Sequence, residues 1–372
     1  MLGKRGNGEG SITRRKDGLY MARYTVQTAT GSKRKTIYGK TRQEVSEKLN
    51  KALADRDGGL IFDAENLAVS DYLDRWLRDS VQGSVRERTY KSYEQQVRRY
   101  LKPSLGRIKL RKLSPMHVQG MYRQMQDRGL SARTVQYSHA VLHRALKQAR
   151  RWGMVGRNVT EDVDPPQVKR EEIQPLNADQ TRALLKAAEG NRLEALYIVA
   201  VHTGMRPGEM LALKWDHVSL DSGILQVNRA LTGGEFTAPK TARSRRWIKL
   251  TASGVKALRV HRKRQLEERM QRAEFWQDYN LVFPSSVGTP LSHRNVVRSF
   301  KAVLNRAGLP KTVRLYDLRH TCATLLLSRN VHPKYVQELL GHASIALTLD
   351  TYSHVIPGIG GGTASAMEDA LG

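Results

Sequence analysis

The sequence has a single cysteine, Cys322, among its 372 residues. One thiol excludes an internal disulfide framework and a zinc module held by several cysteines. No run of 18 or more apolar residues occurs, which argues against a membrane-spanning helix. The first ten residues, MLGKRGNGEG, lack the apolar stretch of a secretory signal peptide. We therefore expect a cytoplasmic protein with no membrane partner.

Acidic residues are scarce: 35 Asp and Glu stand against 63 Lys and Arg, for a net charge of +28. Such an excess indicates a polyanionic partner, with nucleic acid first, because each neutralised phosphate releases counterions. The excess is uneven, since residues 1–60 hold 14 basic and 6 acidic residues and residues 66–160 hold 20 and 6. The first 160 residues are therefore predicted to hold most of the polyanion.

The sequence pattern divides the chain into segments. Residues 1–62 contain three strand-like runs and a helix over 41–54, which Thr41 and Glu44 open as a capping box. Residues 66–160 carry helical periodicity throughout. We predict a three-stranded sheet with one helix, followed by an all-helical domain.

Four amphipathic helices are predicted in the second segment, starting near Ser70, Thr89, Ser114 and Ser131, and they suit a compact bundle. Two prolines and mixed charges mark 161–174 as a linker. Residues 175–356 are mostly helical, with strands predicted near 224–228 and 246–250, and 357–372 form a tail. The predicted fold class is mainly α with small β elements, an α+β protein.

Short motifs in the third segment combine cationic, imidazole and phenolic groups. They are TGMRPGE at 203–209, PKT at 239–241, LRHT at 318–321, LLGH at 339–342 and TLDTYSH at 348–354. Arginines without a carboxylate cluster suit metal-free phosphoryl chemistry, because guanidinium groups clamp phosphate oxygens and oppose the charge that grows in the transition state. A tyrosine beside cations is a suitable nucleophile. We predict neither a cofactor nor a metal.

These five motifs, in this order, resemble those of the tyrosine recombinases, and most closely the integrases of temperate phages and integrative elements. The resemblance covers nearly the whole chain. It implies an arm-type DNA-binding domain at 1–62, a SAM-like core-binding domain at 66–160 and a catalytic domain at 175–356.

Roles follow from the resemblance residue by residue. Tyr352 would attack the scissile phosphate and become linked to the 3′ phosphate, while Arg206 and Arg319 hold the nonbridging oxygens. Lys240 would protonate the leaving 5′ oxygen. His342 would hydrogen-bond the phosphate or assist proton movement.

Two further residues receive supporting roles. Glu209 is expected to orient Arg206. Tyr316 stands where the family usually has histidine, three residues before Arg319, and a phenol can donate a hydrogen bond but cannot carry protons at neutral pH. His320 does not replace that histidine by a register shift, because Ala323 stands three residues after it. We expect activity to survive.

The resemblance also implies partners: core and arm attachment sites in double-stranded DNA, a homotetramer on paired sites formed from free monomers, a host DNA-bending protein and an excision factor. It implies a bacterial host, in which the enzyme integrates and excises a phage or mobile-element genome through a Holliday junction. Two alternatives stay open, a type IB topoisomerase and a DNA-binding regulator that has lost catalysis. Candidate DNA-binding residues are Arg14, Arg15, Lys16, Arg23, Lys33, Arg34, Arg98, Arg99, Arg144 and Lys147.

Overall fold

The computed structural model describes residues 11–28, 31–57, 66–168, 174–238, 245–352 and 363–371. The chain forms two compact units, residues 1–170 and 171–372. Helices dominate and the strands form small antiparallel sheets, so the predicted α+β fold class is confirmed. No helix in the described ranges has the length and apolar character needed to cross a membrane. The predicted boundary at 62–66 lies largely outside the described residues.

The first unit begins with an antiparallel sheet of three strands, β1 (Ser11–Arg14), β2 (Tyr20–Thr28) and β3 (Gly31–Gly39). Helix α1 (Arg42–Asp57) covers one face. Alternate residues of β2 point towards that helix, where Ala22, Tyr24 and Val26 pack against Val45 and Leu49. The other face of the sheet carries no helix of its own in the described part of this module.

The start of α1 follows the predicted cap. Thr41 Oγ1 accepts a hydrogen bond of 3.1 Å from the amide of Glu44. The Glu44 carboxylate accepts from the amide of Lys40 at 2.8 Å, one residue before the position that a standard capping box uses. Hydrogen bonds from the Lys48 ammonium and from the backbone of Lys40 and Thr41 lower the pKa of Glu44.

The helical part of the first unit has one hydrophobic core of aromatic and aliphatic side chains, including Trp76, Tyr72, Leu101, Tyr122 and Leu142. Its helices are α2 (Val69–Trp76), α3 (Glu87–Gln96), α4 (Lys102–Leu105), α5 (Pro115–Asp127) and α6 (Ala132–Arg151). Single π-helical turns, Leu77–Val81 and Val97–Leu101, continue α2 and α3.

The prediction that Ser70 caps the first of these helices was wrong. Helix α2 begins at Val69, and the Ser70 hydroxyl bonds Asp71 instead. The helix start is satisfied by distant backbone: the amide of Val69 donates to Ile108 at 2.9 Å and that of Ser70 to Gly106 at 3.1 Å. Because these carbonyls accept hydrogen bonds from the first amides of the helix, no side-chain cap is needed there.

The second unit is mostly helical, and its described part contains nine α-helices together with short strands. Its helices are α7 (Ala178–Ala188), α8 (Glu194–Thr203), α9 (Pro207–Leu211), α10 (Ala252–Gln271), α11 (His293–Arg306), α12 (Asp317–Leu327), α13 (Pro333–Leu340), α14 (Ile345–Tyr352) and α15 (Thr363–Leu371). Its strands are β4 (Val218–Ser219), β5 (Ile224–Val227), β6 (Ala230–Thr232), β7 (Glu235–Thr237) and β8 (Arg246–Lys249).

Helix α8 lies at the centre of this unit. It is buried on nearly all sides and contacts α10 and α12, which explains why its sequence is mostly apolar. The predicted strands β5 and β8 pair antiparallel, with Leu225 opposite Ile248. The β6–β7 hairpin is inserted between them along the chain. Asn177 opens α7 by the predicted capping box with Gln180.

Candidate active site

Arg319 lies in the first turn of α12 and is buried, with 1% of its surface exposed. Its Nη1 donates a 2.8 Å hydrogen bond to the carbonyl of Gly204. Its Nη2 is buried without a hydrogen-bond partner in the described part of the chain. A buried guanidinium donor that lacks an acceptor is costly, so this Nη2 is a candidate group for binding an anion.

Gly204 brings the second arginine close. It ends α8 in the left-handed region, at φ 58°, and Arg206 follows two residues later as the residue before α9. The positive charge of Arg206 is near enough to lower the pKa of Arg319, after burial itself. The Arg319 guanidinium stays charged at neutral pH. Two arginines that are 113 positions apart by number therefore meet at one place.

Glu209 holds Arg206 in its orientation. Its carboxylate accepts from the Arg206 amide at 3.1 Å and from Arg206 Nη1 at 2.7 Å. A second arginine, Arg246 of β8, donates from Nη2 to the same carboxylate at 3.0 Å. Burial raises the pKa of Glu209, but Arg246 and Arg206 outweigh that effect and hold the pKa below its usual value. Glu209 is therefore a buried anion, and Arg206 stays partly open to solvent.

His342 follows Gly341, which ends α13 at φ 67°. Its Nδ1 lies 2.8 Å from Thr348 Oγ1, and the imidazole is buried. Burial, followed by the charges of Arg319 and Arg206, lowers the pKa of His342 to about 3. The imidazole is thus neutral at pH 7, and with Nδ1 engaged by Thr348 its Nε2 is the nitrogen left for a ligand.

Tyr352 ends α14 and is 2% exposed. Its ring packs in a small apolar cluster with Ala323, Leu327, Val336 and Leu340. Burial raises the pKa of the Tyr352 phenol above its ordinary value, and Arg319 opposes that rise. Its hydroxyl lies 2.6 Å from Nδ1 of His320.

His320 is the site residue that sequence analysis missed. It was considered only as a replacement for the histidine position that Tyr316 occupies. Tyr316 is half-exposed at the start of α12, and its ring meets the His320 ring edge-on at 5.4 Å. The sequence signal that points to His320 is helical spacing: it lies four residues after Tyr316, and residues four apart on a helix share a face.

The structure thus brings together Arg206, Arg319, His342 and Tyr352, with Glu209 and Tyr316 beside them. Lys240 and the PKT motif lie outside the described residues. Within the described ranges, no group of three or more His, Cys, Asp or Glu residues is placed to hold a metal ion.

All ten candidate DNA-binding residues are exposed. The strand register shows on which face of the sheet each candidate residue lies. Arg23 and Arg34 lie opposite Thr36 and Thr25, on the face away from α1. Lys33 pairs with the buried Val26, and Arg14 pairs with Tyr20, so both lie at the end of the helix-covered face. Arg15 and Lys16 are in the turn after β1, where the Arg15 guanidinium lies over the Tyr38 ring.

The remaining four lie on the helical part of the first unit. Arg98 and Arg99 belong to the π-helical turn after α3, and Arg98 pairs with Glu94 at 3.3 Å. Arg144 and Lys147 lie on α6, and Arg144 donates to the Tyr93 hydroxyl at 3.1 Å. These exposed cations are available to a large polyanion, although two of them also have protein partners.

Comparison with known proteins shows the family to which the chain is similar. Residues 174–357 match the model of the phage integrase family, and residues 68–126 match that of the phage integrase N-terminal SAM-like domain. A XerC-like tyrosine recombinase of Caldanaerobacter subterraneus subsp. tengcongensis is 30% identical over 347 residues, covering 87% of this chain and 88% of the relative. An integrase of Streptomyces ambofaciens is 34% identical over 331 residues, covering 84% and 83%.

Solved structures share the fold. The Tn1549 transposon integrase in complex with a circular intermediate DNA matches with a TM-score of 0.69 and 20% identity, covering 82% of this chain and 100% of that chain. A lambda integrase tetramer bound to a Holliday junction matches with a TM-score of 0.59 and 20% identity, covering 94% and 96%.

The fold and the sequence matches together define an enzyme that cuts and rejoins DNA in site-specific recombination. The chain belongs to the phage integrase family of tyrosine recombinases. The family and the enzyme class expected from the five motifs are confirmed.

Proposed function

We propose that this protein integrates and excises a phage or mobile-element genome, by cutting and rejoining attachment-site DNA through a 3′-phosphotyrosine intermediate. The observation that carries the proposal is the buried Nη2 of Arg319, which has no acceptor within the described residues and lies in a site that also contains Arg206, His342 and Tyr352. A phosphodiester supplies acceptor oxygens and negative charge together.

In the proposed cleavage step, the Tyr352 oxygen attacks the scissile phosphorus and the bond to the 5′ oxygen breaks. Arg206 and Arg319 stabilise the charge on the nonbridging oxygens. Thr348 donates to Nδ1 of His342, so that Nε2–H of His342 donates to the phosphate. Lys240 protonates the leaving 5′ oxygen.

Rejoining reverses the step with a 5′ hydroxyl from the partner duplex. The phosphotyrosine bond conserves the energy of the broken phosphodiester, so the exchange requires neither ATP nor a metal. Two successive strand exchanges pass through a Holliday junction. Four protomers on two sites suit this sequence of events, and the tetramer on a Holliday junction in the lambda integrase structure supports that stoichiometry.

DNA binding is assigned to the basic residues of the first unit. Arg23 and Arg34 lie on a sheet face that a DNA groove can accept, and we assign residues 1–62 to arm sites. Arg98, Arg99, Arg144 and Lys147 are assigned to core sites. A host DNA-bending protein that joins arm and core sites, and an excision factor that reverses the reaction, complete the proposed system.

The test is a nicked attachment-site substrate that traps the covalent intermediate. The wild-type chain is expected to form a protein–DNA adduct stable to denaturing electrophoresis, and Tyr352→Phe is expected to form none while it still binds DNA. Tyr335→Phe is the matched control, because Tyr335 is an exposed phenol on the neighbouring helix α13.

Each alternative outcome has a distinct meaning. An adduct formed by Tyr352→Phe would show that another residue is the nucleophile. Relaxation of a supercoiled plasmid without paired attachment sites, and without strand exchange when such sites are present, would indicate a type IB topoisomerase. DNA binding by the wild-type chain without any adduct would indicate a regulator that has lost catalysis.

A further inference from the structure

We propose that His320 is the general base that removes the proton from the Tyr352 hydroxyl during strand cleavage. The inference rests on the proposed function, because it assigns the proton acceptor for the nucleophile of that reaction. His320 lies in the LRHT motif beside Arg319, and the family resemblance implies no role for it.

The contact between His320 and Tyr352 supports the assignment of His320 as the general base. Nδ1 of His320 lies 2.6 Å from the Tyr352 hydroxyl, within the range that direct proton transfer requires. The two rings are 5.7 Å apart between centroids and inclined at 54°. His320 is the residue after Arg319 on α12, so one helix turn presents both the phosphate-binding guanidinium and the base.

The other polar groups of the site are less suited to accept this proton. His342 has its Nδ1 engaged by Thr348, 2.8 Å away. Tyr316 carries a phenol, which at neutral pH has no basic nitrogen and is itself protonated. Among the described residues, His320 is the basic side chain recorded in hydrogen-bond contact with the Tyr352 hydroxyl.

The surroundings keep the His320 imidazole unprotonated and therefore able to accept. Burial lowers its pKa, and the nearby cations Arg319 and Arg314 lower it further, while Asp317 acts in the opposite direction. Burial also raises the pKa of Tyr352, so the phenol does not ionise unaided at neutral pH. The groups that face His320 from its own and adjacent elements are Tyr316, Asp317, Arg319, Arg314, His342 and Tyr352.

The proton balance is complete in both directions. In cleavage, His320 Nδ1 takes the phenol proton as the bond from the Tyr352 oxygen to phosphorus forms and the bond to the 5′ oxygen breaks. The 5′ oxygen receives its proton from Lys240, which is a separate group. In rejoining, the 5′ hydroxyl returns its proton to Lys240 as its oxygen bonds to phosphorus, and the departing Tyr352 oxygen recovers its proton from His320.

The first experiment uses His320→Asn in the full-length chain on the nicked substrate. The asparagine side chain keeps a hydrogen-bonding group near the position of Nδ1 but cannot take up a proton at neutral pH. We expect the cleavage rate to fall by about 10²–10⁴-fold, the usual contribution of a general base, with DNA affinity unchanged. His332→Asn is the control, because His332 is an exposed histidine whose Nδ1 accepts from the Lys334 amide at the start of α13, a capping role that asparagine fills.

Two further measurements separate base catalysis from a structural role. A fluorinated tyrosine of low phenol pKa, placed at position 352, should restore cleavage to His320→Asn by at least tenfold. A substrate whose 5′ bridging oxygen is replaced by sulfur should leave the His320→Asn defect in place, because the thiolate leaves without a proton and the missing function is on the nucleophile side.

A third measurement needs no His320 variant. The cleavage rate of the wild-type chain should fall at acid pH as His320 becomes protonated, and this acid limb should weaken when position 352 carries the fluorinated tyrosine. The inference is overturned if His320→Asn cleaves like wild type, if fluorinated tyrosine gives no recovery, or if sulfur substitution restores the rate. Absence of an adduct with the wild-type chain would instead contradict the proposed function itself.

Discussion

Replacing Glu209 by glutamine removes the buried carboxylate that joins Arg206 to Arg246. The glutamine side chain has the same length, so the change isolates the charge from the packing. Arg246 keeps its 2.6 Å hydrogen bond from Nε to the Leu339 carbonyl. It loses the anion that its Nη2 contacts at 3.0 Å.

The expected loss of stability follows from how deeply Glu209, Arg246 and Arg206 are buried. The side chains of Glu209 and Arg246 are 3% and 7% exposed, while that of Arg206 is 35% exposed. Removing one partner of a buried ion pair costs about 3–5 kcal/mol, because the other charge is left uncompensated. Water can solvate Arg206, so most of the cost comes from Arg246, and we expect a loss near the lower end, about 3 kcal/mol.

The assay is urea unfolding of the full-length chain, with hydrogen exchange in peptides from α9 and β8 to assign the change to this site. Asp221→Asn is the control, because it removes a carboxylate from an exposed pair with Arg259 and should leave unfolding unchanged within error. A loss below about 1 kcal/mol in Glu209→Gln would refute the argument that this carboxylate compensates a buried charge.

The stabilisation by the Glu209 carboxylate is also predicted to depend on pH. The pKa of Glu209 is lower in the folded chain than in the unfolded chain, so its stabilisation is present above the unfolded pKa of about 4.3 and is lost as pH falls through the folded pKa. The stability difference between wild type and Glu209→Gln should therefore shrink as the pH is lowered below about 4. A stability difference between wild type and Glu209→Gln that grew under acid conditions would contradict the lowered pKa of Glu209.

Three further predictions concern other parts of the chain. Gly204→Ala should cost at least about 1 kcal/mol in urea unfolding and should slow cleavage, because φ is 58° and a Cβ would clash with the Leu340 side chain. His342 should show no imidazole titration by NMR above about pH 4, and, because its folded pKa of about 3 is below the unfolded value of about 6.5, stability should fall as the pH drops between them. Removal of residues 1–62 should abolish arm-site binding in gel-shift assays but leave weaker, salt-sensitive core-site binding; equal loss of both would contradict the modular assignment.

Local hydrogen bonding accounts for the parts of the fold that sequence patterns predicted well. The caps at Thr41 and Asn177 depend on groups three or four residues apart, and both are present. The strands β5 and β8 were recognised from their own composition, and they pair antiparallel, although the β6–β7 hairpin separates them along the chain. Ser70 shows the limit of such patterns, because carbonyls of Gly106 and Ile108, more than 30 residues away, occupy the helix start.

The contacts of the candidate site also divide into short-range ones that the motifs indicated and long-range ones that they did not. The contact of Arg206 with Glu209 spans three residues at a helix start, and the motif alone indicated it. The contact of Arg319 with Gly204 spans 115 residues, and that of His320 with Tyr352 spans 32. Motif order indicated that Arg319 and Tyr352 serve one site, but it did not indicate which group touches the tyrosine hydroxyl.

The sequence by itself determined the scarcity of acidic groups, the basic character of the first 160 residues and the family, and it predicted a set of candidate site residues that did not include His320. These properties depend on composition and on spacing within a few residues. Only the tertiary structure decided that His320 contacts Tyr352 and that Arg246 shares Glu209 with Arg206. It also decided that Arg319 has a buried donor without a partner among the described residues. The physical reason is that helix periodicity specifies which face is apolar, whereas the partner of each polar group depends on how α8, α12, α13 and α14 pack together.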